Sequence, residues 1–232
     1  MSEGVARVRL AEDLLWSGDL VRAAEAADEA VRVAPELVGA WQVKVRVACA
    51  RGEKVRADNP IRAEGYARAA VRAARRCVEL GPGDAENYRL LAVASVRIDR
   101  AGAVAAIDHA VRLAPAEADL HLVRSEILRV GSTPGTAAFV AADRAVREAL
   151  RLDPDHRGAR VELAHSEIRH GRTADGERLL REATAGDPEA AARIPEVVRS
   201  MDPKRRFWAV VGTIVLGVAV KDPLFELVAS LL

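Results

Sequence analysis

Aromatic residues are scarce in this chain. Three Trp, three Phe and two Tyr make up 3% of 232 residues. A β-sandwich or barrel leans on aromatic and β-branched side chains, so this shortage speaks against an all-β fold. Cysteine is nearly absent as well. Cys49 and Cys77 form no CxxC pair and cannot build a disulfide framework. They are expected to be small buried hydrophobes in a reducing compartment. No charge sign dominates, with 35 basic against 34 acidic residues. A dedicated nucleic-acid binder would carry a strong basic excess, so no nucleic-acid partner is expected. Lysine is confined to Lys44, Lys54, Lys204 and Lys221; the other basic residues are arginine.

The sequence also lacks the patterns that carry chemistry. It has no GxSxG elbow, no phosphate-cradling glycine loop and no HExxH. His165 and His170 stand five apart and so do not share a helical face as a metal-ligating pair would. Acidic stretches such as Gly83-Asp84-Ala85-Glu86 read as helix starts. A non-enzymatic protein without metal or cofactor is therefore expected. The N-terminal stretch has no apolar signal core, which places the bulk of the chain in the cytoplasm as an expectation.

What is present is helix-forming and periodic. Hydrophobic residues make up 50% and charged residues 30%, enough to bury a core. Alanine, the best helix former, is abundant. Five segments resemble one another: residues 30–35, 77–82, 110–115, 149–154 and 183–188. Each sets a small residue five before a proline. Pro35, Pro82, Pro115, Pro154 and Pro188 lie 47, 33, 39 and 34 residues apart. The period is near 34, with extra residues at 52–65 and 131–136, both marked by glycine and proline. The 52–65 insertion is expected to be a surface loop. In the fifth unit, Ala159, Leu163 and Ala164 form one apolar stripe; Gly171 ends that helix; Gly176, Leu180 and Ala183 form the stripe of the next. Ile194, Val197, Val198 and Met201 share a face opposite Arg193, Glu196 and Arg199, as suits a terminal capping helix.

This pattern resembles the tetratricopeptide repeat, an antiparallel helix pair of about 34 residues closed by proline. The resemblance rests on Leu10, Gly18, Ala23, Ala30 and Pro35 in the first unit and on Trp41, Gly65, Ala70 and Pro82 in the second. Leu91, Ala92, Ala110 and Pro115 carry it in the third unit, and Leu122, Ala149 and Pro154 in the fourth. It covers roughly residues 4–200. It implies an all-α solenoid of about five helix-turn-helix repeats, closed by a cap over residues 1–201. It also implies a concave face, lined by first helices, that binds a peptide or partner helix. On that register the groove residues are Arg46, Arg89, Arg97, Arg124, His165 and Arg169, with Arg9, Glu12, Gln42 and Val93 beside them. The arginines would hold acidic groups through bidentate hydrogen bonds. The family's carboxylate clamp of Lys and Asn has no counterpart here.

Residues 202–232 differ in composition. Asp202 and Pro203 suit a helix start, and Lys204, Arg205 and Arg206 form a basic flank. Residues 207–220 are uncharged and include Phe207, Trp208, Val211, Ile214, Leu216 and Val218. Fourteen residues make about 21 Å of helix, short for a hydrocarbon core of about 30 Å. The whole stretch from Pro203 to Lys221 makes about 28 Å, and its flanking cations can snorkel. One expectation is a C-terminal membrane anchor with the repeats at the inner face of the cell membrane. The other is an apolar hairpin that packs on the repeats or on a second copy, giving a homo-oligomer.

Overall fold

The computed structural model describes residues 2–201 and contains eleven helices there. The candidate anchor residues Phe207, Trp208, Val211, Ile214, Leu216 and Val218, with Lys204, Arg205 and Arg206, lie outside the described residues. The described residues divide into two compact units, 2–154 and 155–201.

The first unit holds four antiparallel pairs. They are α1 (Glu3–Trp16) with α2 (Leu20–Val33), α3 (Val38–Val55) with α4 (Pro60–Leu80), α5 (Ala85–Ser95) with α6 (Arg100–Leu113), and α7 (Ala118–Arg129) with α8 (Ala137–Leu152). The same local chemistry writes each pair. Asp19, Asn59, Asp99 and Thr136 cap the second helices, each side chain accepting the backbone N–H three residues on. Proline then separates the pairs. Ala34, Gly81, Ala114 and Asp153 precede Pro35, Pro82, Pro115 and Pro154. They hold φ of −137°, −141°, −137° and −135° with ψ between 72° and 95°, out of the helical region that a following proline disfavours.

First helices pack against first helices: α1 on α3, α3 on α5 and α5 on α7. The second helices α2, α4 and α6 also lie against the next first helix, α3, α5 and α7 respectively. The first helices therefore line one common face of this unit. The core between them is built from small side chains. Ala30, Cys77, Ala110 and Ala149, the residues five before each proline, are completely buried. Among the aromatics of the described residues, Phe139 is fully buried. A tether recurs at the junctions. Trp41 Nε1 donates to the Pro35 carbonyl at 2.7 Å, Asn87 Nδ2 donates to the Gly81 carbonyl at 2.9 Å, and His121 Nε2 lies 2.9 Å from the Pro115 carbonyl. Asn87 does this one residue out of step with the other two, bonding the residue before the proline and not the proline itself.

The 52–65 insertion is not a loop. α3 continues to Val55, a short turn follows, and α4 starts at Pro60 with Asn59 as its cap. Helix-forming Ala, Arg and Glu carry both helices through, and Gly52 and Gly65 lie inside them. The extra residues thus lengthen the hairpin by roughly two turns past its neighbour α5. The 131–136 insertion does form a loop, between α7 and α8.

The second unit holds α9 (Arg157–Arg169), α10 (Thr173–Ala183) and α11 (Pro188–Met201). Gly171, with φ +81°, makes the α9–α10 turn, a left-handed conformation that favours glycine. Ala164, Ile168, Leu180 and Ile194 form the core, joined by Val197, Val198 and Met201. Helix α11 packs on both α9 and α10, where a following repeat's first helix would otherwise lie. Arg193, Glu196 and Arg199 on its other face are exposed.

Candidate functional site

The first-helix face of residues 1–154 is crossed by a ladder of ion pairs. Arg46 on α3 donates to Glu12 on α1 at 3.2 Å and to Glu86 on α5 at 3.1 Å. Glu86 also accepts two hydrogen bonds from Arg89, at 2.5 and 2.7 Å. Beside this ladder, Gln42 Nε2 donates to Asn87 Oδ1 at 2.9 Å. Burial alone would raise the Glu86 carboxyl; the hydrogen bonds and charges of Arg89 and Arg46 outweigh it and hold the group below its ordinary value. The same hydrogen bond from Arg89 to Glu86, against the opposing effect of burial, pushes the guanidinium upward. The four charged side chains are still about a third exposed, so solvent reaches the ladder.

Two of the expected groove residues, Arg46 and Arg89, are thus brought together here, already paired within the protein. An acidic ligand would have to displace Glu12 or Glu86 from them. Arg124 lies on α7 and pairs with Asp108 on α6 at 2.6 Å. Lys44 on α3 makes the same step to Asp28 on α2, at 2.7 Å. Arg124 therefore belongs to the seam between repeats and not to the ladder. His165 and Arg169 lie in the second unit on α9, both turned towards Glu162 on the same helix at 3.5 and 3.7 Å. Arg97 leaves the helices altogether: it is exposed in the turn between α5 and α6.

Arg97 lines a cleft that the sequence reading did not foresee. The cleft has a volume of about 460 Å³. Its walls are the overhanging ends of α3 and α4 and the end of α5, with Ala48, Cys49, Ala63, Ala67, Val93 and Ile98 among its apolar lining. Burial pushes the Cys49 thiol up to about 11, so this sulfur is a packing group and not a nucleophile at neutral pH. Cys77, in the core between α3 and α5, is pushed up to about 12 by burial. A smaller cleft of about 260 Å³ lies on the overhang's other flank, against the α1–α2 turn. The Asn59-Pro60 pair was the available signal for the overhang, since a cap residue followed by proline marks a helix start. Among the described residues no cluster of His, Cys, Asp and Glu is arranged to hold a metal ion.

This architecture has known counterparts. A thermophilic tetratricopeptide-repeat protein of Thermus thermophilus, TTC0263, superposes with a TM-score of 0.68 at 19% identity, over 84% of this chain and 98% of its own. The fold is the tetratricopeptide-repeat solenoid. The type IV pilus biogenesis factor PilW matches this solenoid with a TM-score of 0.61 at 16% identity, over 90% of this chain and 100% of its own. YrrB, a tetratricopeptide-repeat protein with an unusual peptide-binding site, matches with a TM-score of 0.50 at 14% identity, over 84% and 92%. No family model and no curated protein matches the sequence. The repeat register that aligned the prolines therefore carries to the helices, whereas the neighbours' own ligands say nothing of these side chains.

Proposed function

We propose that this chain is a non-enzymatic scaffold that holds a peptide or partner helix against the first-helix face of its repeats. The observation that carries the reading is the ladder Glu12–Arg46–Glu86–Arg89. Four charged side chains from three helices fix one another and still keep about a third of their surface exposed to a ligand. A partner carrying both a carboxylate and a cation exchanges pairs with such a ladder at little desolvation cost, because each charge it displaces finds another. The fold supports the same reading, since one of its structural neighbours has a peptide-binding site. The test is affinity capture from cell extract by the full chain and by an Arg46→Glu, Arg89→Glu variant. Proteins retained by the first and lost by the second support the reading. An identical set from both contradicts it.

The tail supplies the second part of the proposal: it holds the repeats at the inner face of the cell membrane. Its support is sequence alone, an uncharged run from Phe207 to Val220 behind the cluster Lys204, Arg205 and Arg206. Among the described residues no helix is long and apolar enough to cross a membrane. If the tail anchors the chain, the full-length protein pellets with membranes in high salt and a chain ending at Ser200 does not. If both stay in the supernatant, the tail packs on protein instead, and a dimer that dissociates without residues 203–232 identifies self-association.

A further inference from the structure

Five of the nine large apolar residues that the first unit exposes lie away from the ladder face. Trp16, Val21, Ile61, Ile98 and Val130 all flank the turns that join first to second helices, with Trp16 89% and Ile61 84% exposed. Both clefts open along this same edge, one on each flank of the overhanging α3–α4 tip. Solvated apolar side chains beside preformed clefts are the surface signature of a docking site.

Charge along this edge is unbalanced. Between residues 51 and 68 five cations stand against three carboxylates. Two of the carboxylates are committed within the protein: Glu53 pairs with Arg56, and Glu64 with Arg68. The neighbouring Asp19, which lines the smaller cleft, caps α2 and pairs with Arg22, and Asp99 caps α6. Asp58 remains, against Arg51, Lys54 and Arg62, all of which line the smaller cleft. Arg51 and Arg62 lie over the face of Tyr66, 4.6 and 5.8 Å from its centroid, which holds their positive charge at the cleft wall. At the larger cleft, Arg97 has no hydrogen bond or ion pair among the described residues, and Arg56 Nη1 is buried with no partner. The exposed Arg97 guanidinium is therefore free to take an incoming carboxylate.

We propose that the α3–α4 overhang and the α5–α6 turn form a second docking site, which takes an acidic, amphipathic segment of a partner protein. Its apolar side chains enter the two clefts, and its carboxylates meet Arg97 on one side and Arg62 and Lys54 on the other. Concave clefts favour such a segment over a lipid surface, which accepts protruding side chains and leaves cavities unfilled. The site deepens the scaffold reading and rests on it, but it does not use the ladder.

The test uses the full chain in mild detergent and an array of synthetic dodecapeptides. These combine leucine, isoleucine and valine at helical spacing with graded numbers of Asp and Glu or of Lys and Arg. Acidic amphipathic peptides should bind at least ten-fold more tightly than their basic counterparts. That binding should fall at least ten-fold in an Arg62→Glu, Arg97→Glu variant, whose altered residues are exposed and leave the core intact. Ala67→Trp, which fills the larger cleft, should weaken it too, provided its circular dichroism matches the parent. The ladder variant Arg46→Glu, Arg89→Glu should bind these peptides unchanged. Equal binding of acidic and basic peptides overturns the proposal, as does binding that survives Arg62→Glu, Arg97→Glu. Loss in the ladder variant alone would move the site to the first-helix face, sparing the scaffold reading while removing this one. Binding to phosphatidylserine vesicles that is abolished by Arg62→Glu, Arg97→Glu, with no peptide binding, would assign the edge to a lipid surface and also overturn it.

Discussion

Gly176 and Gly65 both lie inside second helices, yet their surroundings differ. A Cβ at Gly176 would sit 2.5 Å from Ile168 Cγ1 and 2.7 Å from the Ala164 carbonyl oxygen. A Cβ at Gly65 would meet nothing within 4 Å. The first glycine is there for close helix approach and the second has no packing reason. Gly176→Ala is expected to destabilise by about 1–3 kcal/mol, despite alanine's better helix propensity. Gly65→Ala is expected to stabilise by up to ~1 kcal/mol. Urea denaturation of the two variants beside the parent checks both, and equal shifts in the same direction would contradict the packing argument. At this scale much was legible in the sequence. Ala30, Cys77, Ala110, Ala149 and Ala183 could be read as core because each precedes a proline by a fixed five residues, and all five are buried. Gly65 was misleading for the same reason. It resembled the turn glycine of the first unit, Gly18, whose φ is +80°, but it is an ordinary helical residue of a lengthened α4.

Between elements, the charges divide by burial. Arg129 on α7 meets Asp143 on α8 at 2.8 Å, with side chains only 7% and 13% exposed, and its guanidinium lies 4.8 Å from the centre of the Phe139 ring. Removing one partner leaves a buried charge, so Asp143→Ala is expected to cost about 3–5 kcal/mol. Arg76 and Glu36 pair across α4 and the α2–α3 turn at the surface, and Glu36→Ala should cost no more than about 1 kcal/mol. Thermal melts of the two variants test the contrast. Glu86 gives the ladder a pH signature. Its carboxyl titrates below the ordinary 4.5 in the folded chain, so its contribution is fully present above pH 4.5. It is lost as pH falls through the lowered folded value. The stability gap between the parent and Glu86→Gln should therefore narrow below pH 4.5, and a gap that stays constant from pH 7 to 3.5 would contradict the pairing. None of these pairs was legible beforehand. Glu12, Arg46 and Glu86 come from three repeats, and which of them meet depends on how far each first helix is rotated against the next. A one-residue shift in the third unit, visible at Asn87, is enough to move a side chain from one neighbour to another. The lengthened hairpin was hidden for a simpler reason. Gly52, Asp58-Asn59-Pro60 and Gly65 are turn signals in isolation, but alanine and arginine around them sustain the helices up to a four-residue turn.

For the whole molecule, the repeat logic explains both its stability and its openness. No helix pair buries its own apolar face; neighbours or, for α9 and α10, the α11 cap must cover it. Covering it with alanine-rich seams leaves the larger apolar side chains Trp16, Val21 and Ile61 without an internal role, at one edge, beside two clefts. The first-helix face, by contrast, is finished with paired charges. A solenoid built this way offers two chemically distinct surfaces, a polar face and an apolar, cationic edge. Site-specific photo-crosslinking in cells reads their use most directly, with a benzophenone side chain placed singly at Arg9, Ile61 or Leu113. Arg9 lies on α1 three residues before the ladder residue Glu12, Ile61 belongs to the edge, and Leu113 lies at the opposite end of α6; all three are exposed. The scaffold account predicts discrete protein adducts from Arg9 and from Ile61 and none from Leu113. Adducts from Leu113 equal to the others, or no protein adduct from any position, would contradict it.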